Sequence, residues 1–169
     1  MSSNGLNMSE IKNQLIELKV GSKAPGFEVF NQKGELIRLQ DLRGKKVILF
    51  FYPKDMTDGC TAEVCNLRDN FSTLKNKGFK LFGISGDSMK SHVKFIDQYS
   101  LQFDLLADED LSMCKAYGVW GEKELFGRKY MGIIRTTFII DEEGKIEAII
   151  PKVDTGNHTA QILEAIQQK

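Results

Sequence analysis

The chain has 169 residues, 41% of them hydrophobic and 27% charged, which suits one globular unit with a sizeable core. Its 23 Lys and Arg balance its 23 Asp and Glu with no block of like charge, which argues against a nucleic-acid or anionic-membrane partner. No apolar run is long enough to span a bilayer, residues 1–7 lack the basic start and apolar core of a secretory signal, and three cysteines are too few and too odd for a secreted disulfide scaffold, so a reducing cytoplasm is the expected compartment.

In chain order, residues 1–17 read as an extension. Residues 1–8 are Ser/Asn-rich and expected to be mobile, and Ser9 is placed to cap a short helix with Ile11, Leu15 and Leu18 on one face. Residues 18–169 read as a single domain. Phe27–Phe30 and Leu36–Leu39 flank Asn31-Gln32-Lys33-Gly34 as a β-hairpin. Val47–Tyr52 is a continuous apolar run, as expected of a strand covered on both faces. A helix then carries Cys60, Val64, Leu67, Phe71 and Leu74 as one apolar stripe, with Asp58 as a candidate cap and Gly78 placed to end it.

Phe79–Ser85 predicts a second strand. Asp87 or Ser88 caps a helix running to Tyr99, with Val93 and Ile96 inward. Phe103–Leu106 reads as a short strand and Glu109–Tyr117 as a helix ended by Gly118. Trp120–Gly132 holds three glycines and reads as a long functional or mobile loop. Ile133–Ile140 and Lys145–Ile150 pair as a hairpin across Asp141-Glu142-Glu143-Gly144, and a helix from about Asn157 to Gln168 closes the chain. The alternation implies an α/β fold, a central mixed β-sheet flanked by helices. A parallel β-α-β unit followed by an antiparallel β-β-α unit is the thioredoxin-like arrangement, here with an N-terminal β-hairpin extension. Catalytic groups in such sheets sit beyond the carboxyl ends of the strands, where Cys60 falls.

Cys60 follows a strand and a Pro53 loop and stands at a helix start. Free N–H groups and the helix dipole favour an anion there, so its thiol is a candidate nucleophile. The bland reading is a small apolar residue on the helix stripe. Cys65 reads either as its partner or as a free thiol beside the stripe. Cys114 reads as an inert, partly buried thiol, and His92 and His158 as surface or helix-end residues. Arg135 reads equally as a surface arginine or a site cation. No His/Cys cluster has metal-ligand spacing, so no metal or cofactor is expected.

Pro53-x-x-x-Thr57-x-x-Cys60 resembles the active-site pattern of the peroxiredoxins. Phe50-Tyr52-Pro53-Lys54-Asp55-Met56-Thr57, Gly59-Cys60-Thr61, Glu63 and Cys65 with Arg68-Asp69 resemble the bacterioferritin comigratory protein, or peroxiredoxin Q, type. Tyr117–Lys123 and Arg135–Asp141 are similar to the same family in order and spacing, and the resemblance runs from about Leu18 to the end.

This resemblance implies a thiol-dependent peroxidase for hydrogen peroxide and alkyl hydroperoxides, of the atypical two-cysteine kind. It implies Cys60 as the peroxidatic thiol, Cys65 as the resolving thiol that forms an intramolecular disulfide, and Arg135 and Thr57 as binders of thiolate and peroxide. Pro53 would shape and shield the site, and thioredoxin or a similar dithiol would be the reductant. With an intramolecular resolving thiol, a monomer or weak homodimer suffices.

Chemistry supports these roles: Arg135 offers a permanent charge in a rigid fork. The Thr57 hydroxyl both accepts and donates hydrogen bonds, and backbone N–H groups at Gly59 and Cys60 suit a leaving oxygen. Thr61 and Glu63 read as first-turn residues that suit the dipole. The family often has proline where this chain has Asp58, whose charge would oppose a lowered thiol pKa. Residues five apart in a helix have Cα atoms about 8–9 Å apart, and a disulfide needs about 7 Å or less, so the first turns of this helix are expected to unwind on oxidation. Two other functions compete with this one. A general thiol–disulfide oxidoreductase would have a two-residue cysteine spacing and a proline where Thr136 stands; a redox-sensing or holdase-like module would react with peroxide without turning over.

Overall fold

The structure, a computed structural model, describes residues 18–167. The expected mobile N-terminus and short helix fall on residues 1–17, outside the described residues; Leu18 packs against the core.

Lys46–Phe51, apolar from Val47 on, forms β3, the central strand of a five-stranded sheet. β4 (Phe79–Ser85) and β5 (Asp104–Ala107) run parallel to it, while β8 (Thr136–Ile140) is antiparallel to β3 and β9 (Ile146–Ile150) antiparallel to β8. From Val47 on β3 is apolar because both its faces are covered. Val47, Leu49 and Phe51 pack on one side with Tyr117, Phe138 and the N-terminal hairpin. Ile48, Phe50 and Tyr52 pack on the other against Cys60, Val64, Leu67, Phe95 and Ile162. Each such side chain, fully buried, contributes about 1.5–3 kcal/mol. Gly83 of β4 makes room for this layer: a Cβ there would stand 2.5 Å from Phe50 Cζ and 2.8 Å from Leu105 Cδ2.

The hairpin is β1 (Glu28–Phe30) with β2 (Leu36–Arg38), as expected. Asn31 and Gln32 at its turn bond Asp104, and Gln32 Oε1 accepts from Leu105 N, so the hairpin covers the β5 edge of the sheet.

Several expectations are corrected. The single helix over residues 58–77 is two, α1 (Asp58–Asp69) and α2 (Phe71–Asn76). Asn70, at φ −115°, breaks it, and its amide bonds back to Asn66 O at 2.8 Å. The α1 N-cap is Thr57 rather than Asp58, and no side chain caps this end. In α3 (Met89–Tyr99), Ser88 caps as expected and Ile96 packs against the core as expected, but the fully buried residues are His92 and Phe95, and Val93 is exposed. The next helix, α4, is only Ser112–Ala116, because Leu111 is left-handed at φ 63°.

Trp120–Gly132 is no loop. β6 (Trp120–Leu125) and β7 (Arg128–Ile133) form a hairpin closed by Phe126 and Gly127, both at positive φ. The run Ile133–Ile140 is consequently split, with Ile133 ending β7 and Thr136 opening β8.

The last helix, α5 (His158–Gln167), is tied to α1 through Asn66. Its side chain donates to Gly156 O and accepts from Thr159 N at 2.8 Å. Arg68 Nη1 donates to Tyr99 O, and Gln102 Nε2 donates to Arg68 O. The far end of α1 is therefore fixed to its surroundings.

Candidate active site

After β3 the chain turns through Pro53–Thr57. Asp55 anchors this loop from below. Its carboxylate accepts from Tyr52 Oη at 2.6 Å and Ser91 Oγ at 2.8 Å and meets His92 Nδ1 at 2.8 Å, and its N–H donates to Asp87 Oδ2. His92, expected at the surface, is fully buried, with Nε2 on Leu106 O at 3.0 Å. Burial, then Asp55, drive the Tyr52 phenol well above its ordinary pKa. Asp55, Asp87 and His92 bring potential ligand atoms within 4.8 Å of one another, a juxtaposition the spacing did not reveal. Those atoms are occupied by hydrogen bonds to Tyr52, Ser85, Ser91 and the Asp55 amide.

Met56 adopts φ 67°, Thr57 is extended, and α1 begins. The Thr57 hydroxyl donates to Lys54 O at 2.8 Å instead of capping the helix, which leaves its lone pairs open and the first N–H groups of α1 without a side-chain partner. Cys60 lies buried in this first turn. Pro53, half-buried, lines a cleft of about 420 Å³ with Trp120, Lys123 and Tyr130.

The β3–β8 register pairs Phe51 with Thr136, so Arg135 falls across from Tyr52, beside the start of α1. Its Nη2 donates to Cys60 Sγ at 3.4 Å and its Nη1 donates to Glu63 Oε1 at 2.7 Å. Cys60 and Glu63 are three apart on one face of α1, so one guanidinium spans both. Burial opposes the arginine's charge, yet Cys60 and Glu63 more than offset this and hold its pKa above the ordinary value. Lys123 of the β6–β7 hairpin donates to Ile133 O. Burial, then Arg135, lower its pKa, with Cys60 pulling the other way.

Sequence reasoning placed Glu63 only as a dipole-suited first-turn residue. Here it is fully buried, and burial raises its pKa from 4.5 to about 7 against the pull of Arg135. His158, also expected at the surface, is fully buried behind it, with Nε2 3.6 Å from Glu63 Oε2 and 2.7 Å from Thr137 Oγ1. Burial, seconded by Arg135, lowers the His158 pKa. The only advance signal for either was the helical i,i+3 spacing of Glu63 from Cys60.

Cys65 is half-buried on α1, and all three cysteines are free thiols. Cys114 is fully buried, where desolvation and then Asp108 push its thiol far up, so it stays protonated. The arrangement thus offers one thiol beside a guanidinium and helix N–H groups that no side chain caps.

Residues 20–149 match the AhpC/TSA family. The chain is 51% identical over 148 residues to a putative peroxiredoxin Bcp of Coxiella burnetii, covering 88% of this chain and 98% of that protein. It is 43% identical over 151 residues to peroxiredoxin Bcp of Escherichia coli K12, covering 89% and 97%. Among solved structures, Mycobacterium tuberculosis BcpB superposes with a TM-score of 0.78 at 31% identity, covering 90% of this chain and 98% of that one. Bacterioferritin comigratory protein of Xanthomonas campestris, described for its alkyl peroxide reduction activity, gives 0.78 at 31%, covering 84% and 90%.

Proposed function

The chain belongs to the AhpC/TSA family, on its bacterioferritin comigratory protein branch, and from that premise we propose that Cys60 is the thiol through which it works as a peroxidase. The protein is a thiol-dependent peroxidase acting on hydroperoxides, with a thioredoxin-like fold. The Cys60 thiolate attacks one oxygen of the peroxide, the O–O bond breaks, and the sulfur is left as a sulfenic acid. The departing oxygen takes a proton and leaves as water or an alcohol.

Arg135 stabilises the thiolate and orients the peroxide, aided by the open N–H groups of Gly59 and Cys60. Thr57 accepts a hydrogen bond from the peroxide, and Pro53 shields the site. Cys65 then attacks the sulfenic sulfur, expels water and forms an intramolecular disulfide, with the first turns of α1 unwinding to bring the sulfurs together. A dithiol protein of the thioredoxin type returns both thiols by exchange. We further propose one domain from residue 18 onward, working as a monomer or weak homodimer in the cytoplasm. Among the described residues no helix is long and apolar enough to cross a membrane.

The observation that carries this reading is the Arg135 guanidinium on the Cys60 sulfur at the uncapped start of α1. The test is the intact mass of the reduced protein after one equivalent of hydrogen peroxide. The parent should lose two hydrogens, Cys65→Ser should gain one oxygen, and Cys60→Ser should not change. Rapid oxidation persisting in Cys60→Ser would place the nucleophile elsewhere and end this assignment.

A further inference from the structure

Behind Arg135, on the side away from Cys60, lie two fully buried acceptors facing each other. Glu63 Oε2 is the buried side-chain oxygen that finds no hydrogen-bond partner among the described residues. Its neighbour at 3.6 Å is His158 Nε2. The other imidazole nitrogen, Nδ1, stands 2.9 Å from Gln161 Oε1. That amide oxygen also accepts from Asp154 N, while the Gln161 amide nitrogen donates to Lys152 O. The orientation of the amide is thereby fixed, and Nδ1 carries the ring proton. Nε2 of a neutral ring is then an acceptor, taking the Thr137 hydroxyl proton at 2.7 Å. A carboxylate oxygen and an imidazole lone pair, both away from water, repel each other unless a proton lies on one of them.

We propose that Glu63 and His158 hold one proton between them, and that its gain and loss sets how much of the Arg135 charge is left for the Cys60 sulfur. With the proton present, on either group, the pair carries no net charge, and the guanidinium answers to one net anion, the Cys60 thiolate. When the proton leaves for solvent Glu63 is an anion, and the guanidinium is divided between two. Glu63 and His158 are positioning residues in this scheme; neither reaches the peroxide. The charged and titratable groups around the pair are Cys60 on α1, Arg135 before β8, Asp154 before α5 and, beyond Arg135, Lys123 on β6. The raised pKa of Glu63 and lowered pKa of His158 agree with a single proton held by the pair near neutral pH. Two sites coupled through one guanidinium titrate as a unit. The inference rests on Cys60 being the peroxide-reactive thiol.

The test measures two titrations in the full-length Cys65→Ser protein, where Cys60 is the thiol that ionises. Thiolate absorbance in the ultraviolet follows Cys60, and the infrared band of a protonated carboxyl, assigned by its loss in Glu63→Gln, follows Glu63. Whichever group titrates at the higher pH should shift down by about one pH unit when the other is made neutral, by Glu63→Gln for the thiol or Cys60→Ser for the carboxyl. A purely structural Glu63 would move neither midpoint, and that result overturns the proposal. So does the absence, at pH 6, of both a protonated carboxyl band and an imidazolium signal from His158 in nitrogen NMR. Carbon-13 NMR of labelled glutamate carboxyls reads Glu63 without a substitution, so the two NMR signals together decide the matter even if Glu63→Gln does not fold. A coupled pair in a protein whose Cys60 ignores peroxide would sink the peroxidatic assignment and leave the shared proton standing.

Discussion

The Gly59 α-carbon lies against the Arg135 guanidinium: a Cβ at residue 59 would meet Nη2 at 3.3 Å. The space is needed for the guanidinium to reach Cys60 Sγ. Gly59 is helical, so backbone preference alone favours alanine by about 0.5–1 kcal/mol. Gly59→Ala should therefore raise the thermal midpoint while slowing Cys60 oxidation by about tenfold, the cost of about 1.4 kcal/mol in the barrier. Peroxide consumption and thermal unfolding measured on one preparation check this opposition.

Arg135 is the hydrogen-bonded counterion of a buried carboxylate. At pH 8, above the Glu63 pKa of about 7, Arg135→Ala leaves the carboxylate facing only His158, and breaking such a pair destabilises by about 3 kcal/mol. Glu63→Gln in the same chain should recover much of that stability without recovering the rate. Urea midpoints of the two single variants and the double variant give the coupling directly.

Glu63 and His158 should oppose each other in the pH dependence of stability. A folded pKa raised from 4.5 to about 7 gives stability that is full below 4.5 and is lost as pH rises towards 7. A histidine lowered from 6.5 gives stability that is full above 6.5 and is lost as pH falls. Below pH 6.5 the two therefore act in opposite directions. Glu63→Gln should expose the histidine slope, so its thermal midpoint relative to the parent falls between pH 6.5 and 5. The slope is at most about 1.4 kcal/mol per pH unit.

Asp55 holds the Pro53–Thr57 loop through Tyr52, Ser91 and His92. Asp55→Ala removes the hydrogen-bond partner of all three and should destabilise by about 3 kcal/mol. Amide exchange should quicken across residues 53–60, and the Cys60 rate should fall with it. Undisturbed exchange in that segment would mean that the loop holds its shape by other means.

The strand–loop–helix carrying Cys60 was legible because its signals are local: an apolar run, Pro53, and a helical stripe. Glu63 and His158 were not, because a carboxylate and an imidazole become core residues only when α5 packs over α1. That contact joins residues about a hundred positions apart. The β6–β7 hairpin escaped because much of it is exposed. Its Glu122-Lys123-Glu124-Leu125 run lacks an apolar face, and its strands hold by backbone pairing around Phe126-Gly127. The break at Asn70 was hidden within an unbroken stripe from Cys60 to Leu74, since the stripe reports which side chains face inward and says nothing of a side-chain amide bonding back to Asn66 O.

The moorings of α1 are unequal along its length. Asn66 and Arg68 clamp it to α5 and to Tyr99, while its first turn has no side-chain cap. Its root, beside Cys65, is held by these bonds to neighbouring elements, while its tip is held through one side chain, Arg135, which bonds both the Cys60 thiol and Glu63. A helix held in this way has room to loosen over residues 58–64 while its bonds to α5 and to Tyr99 stay in place.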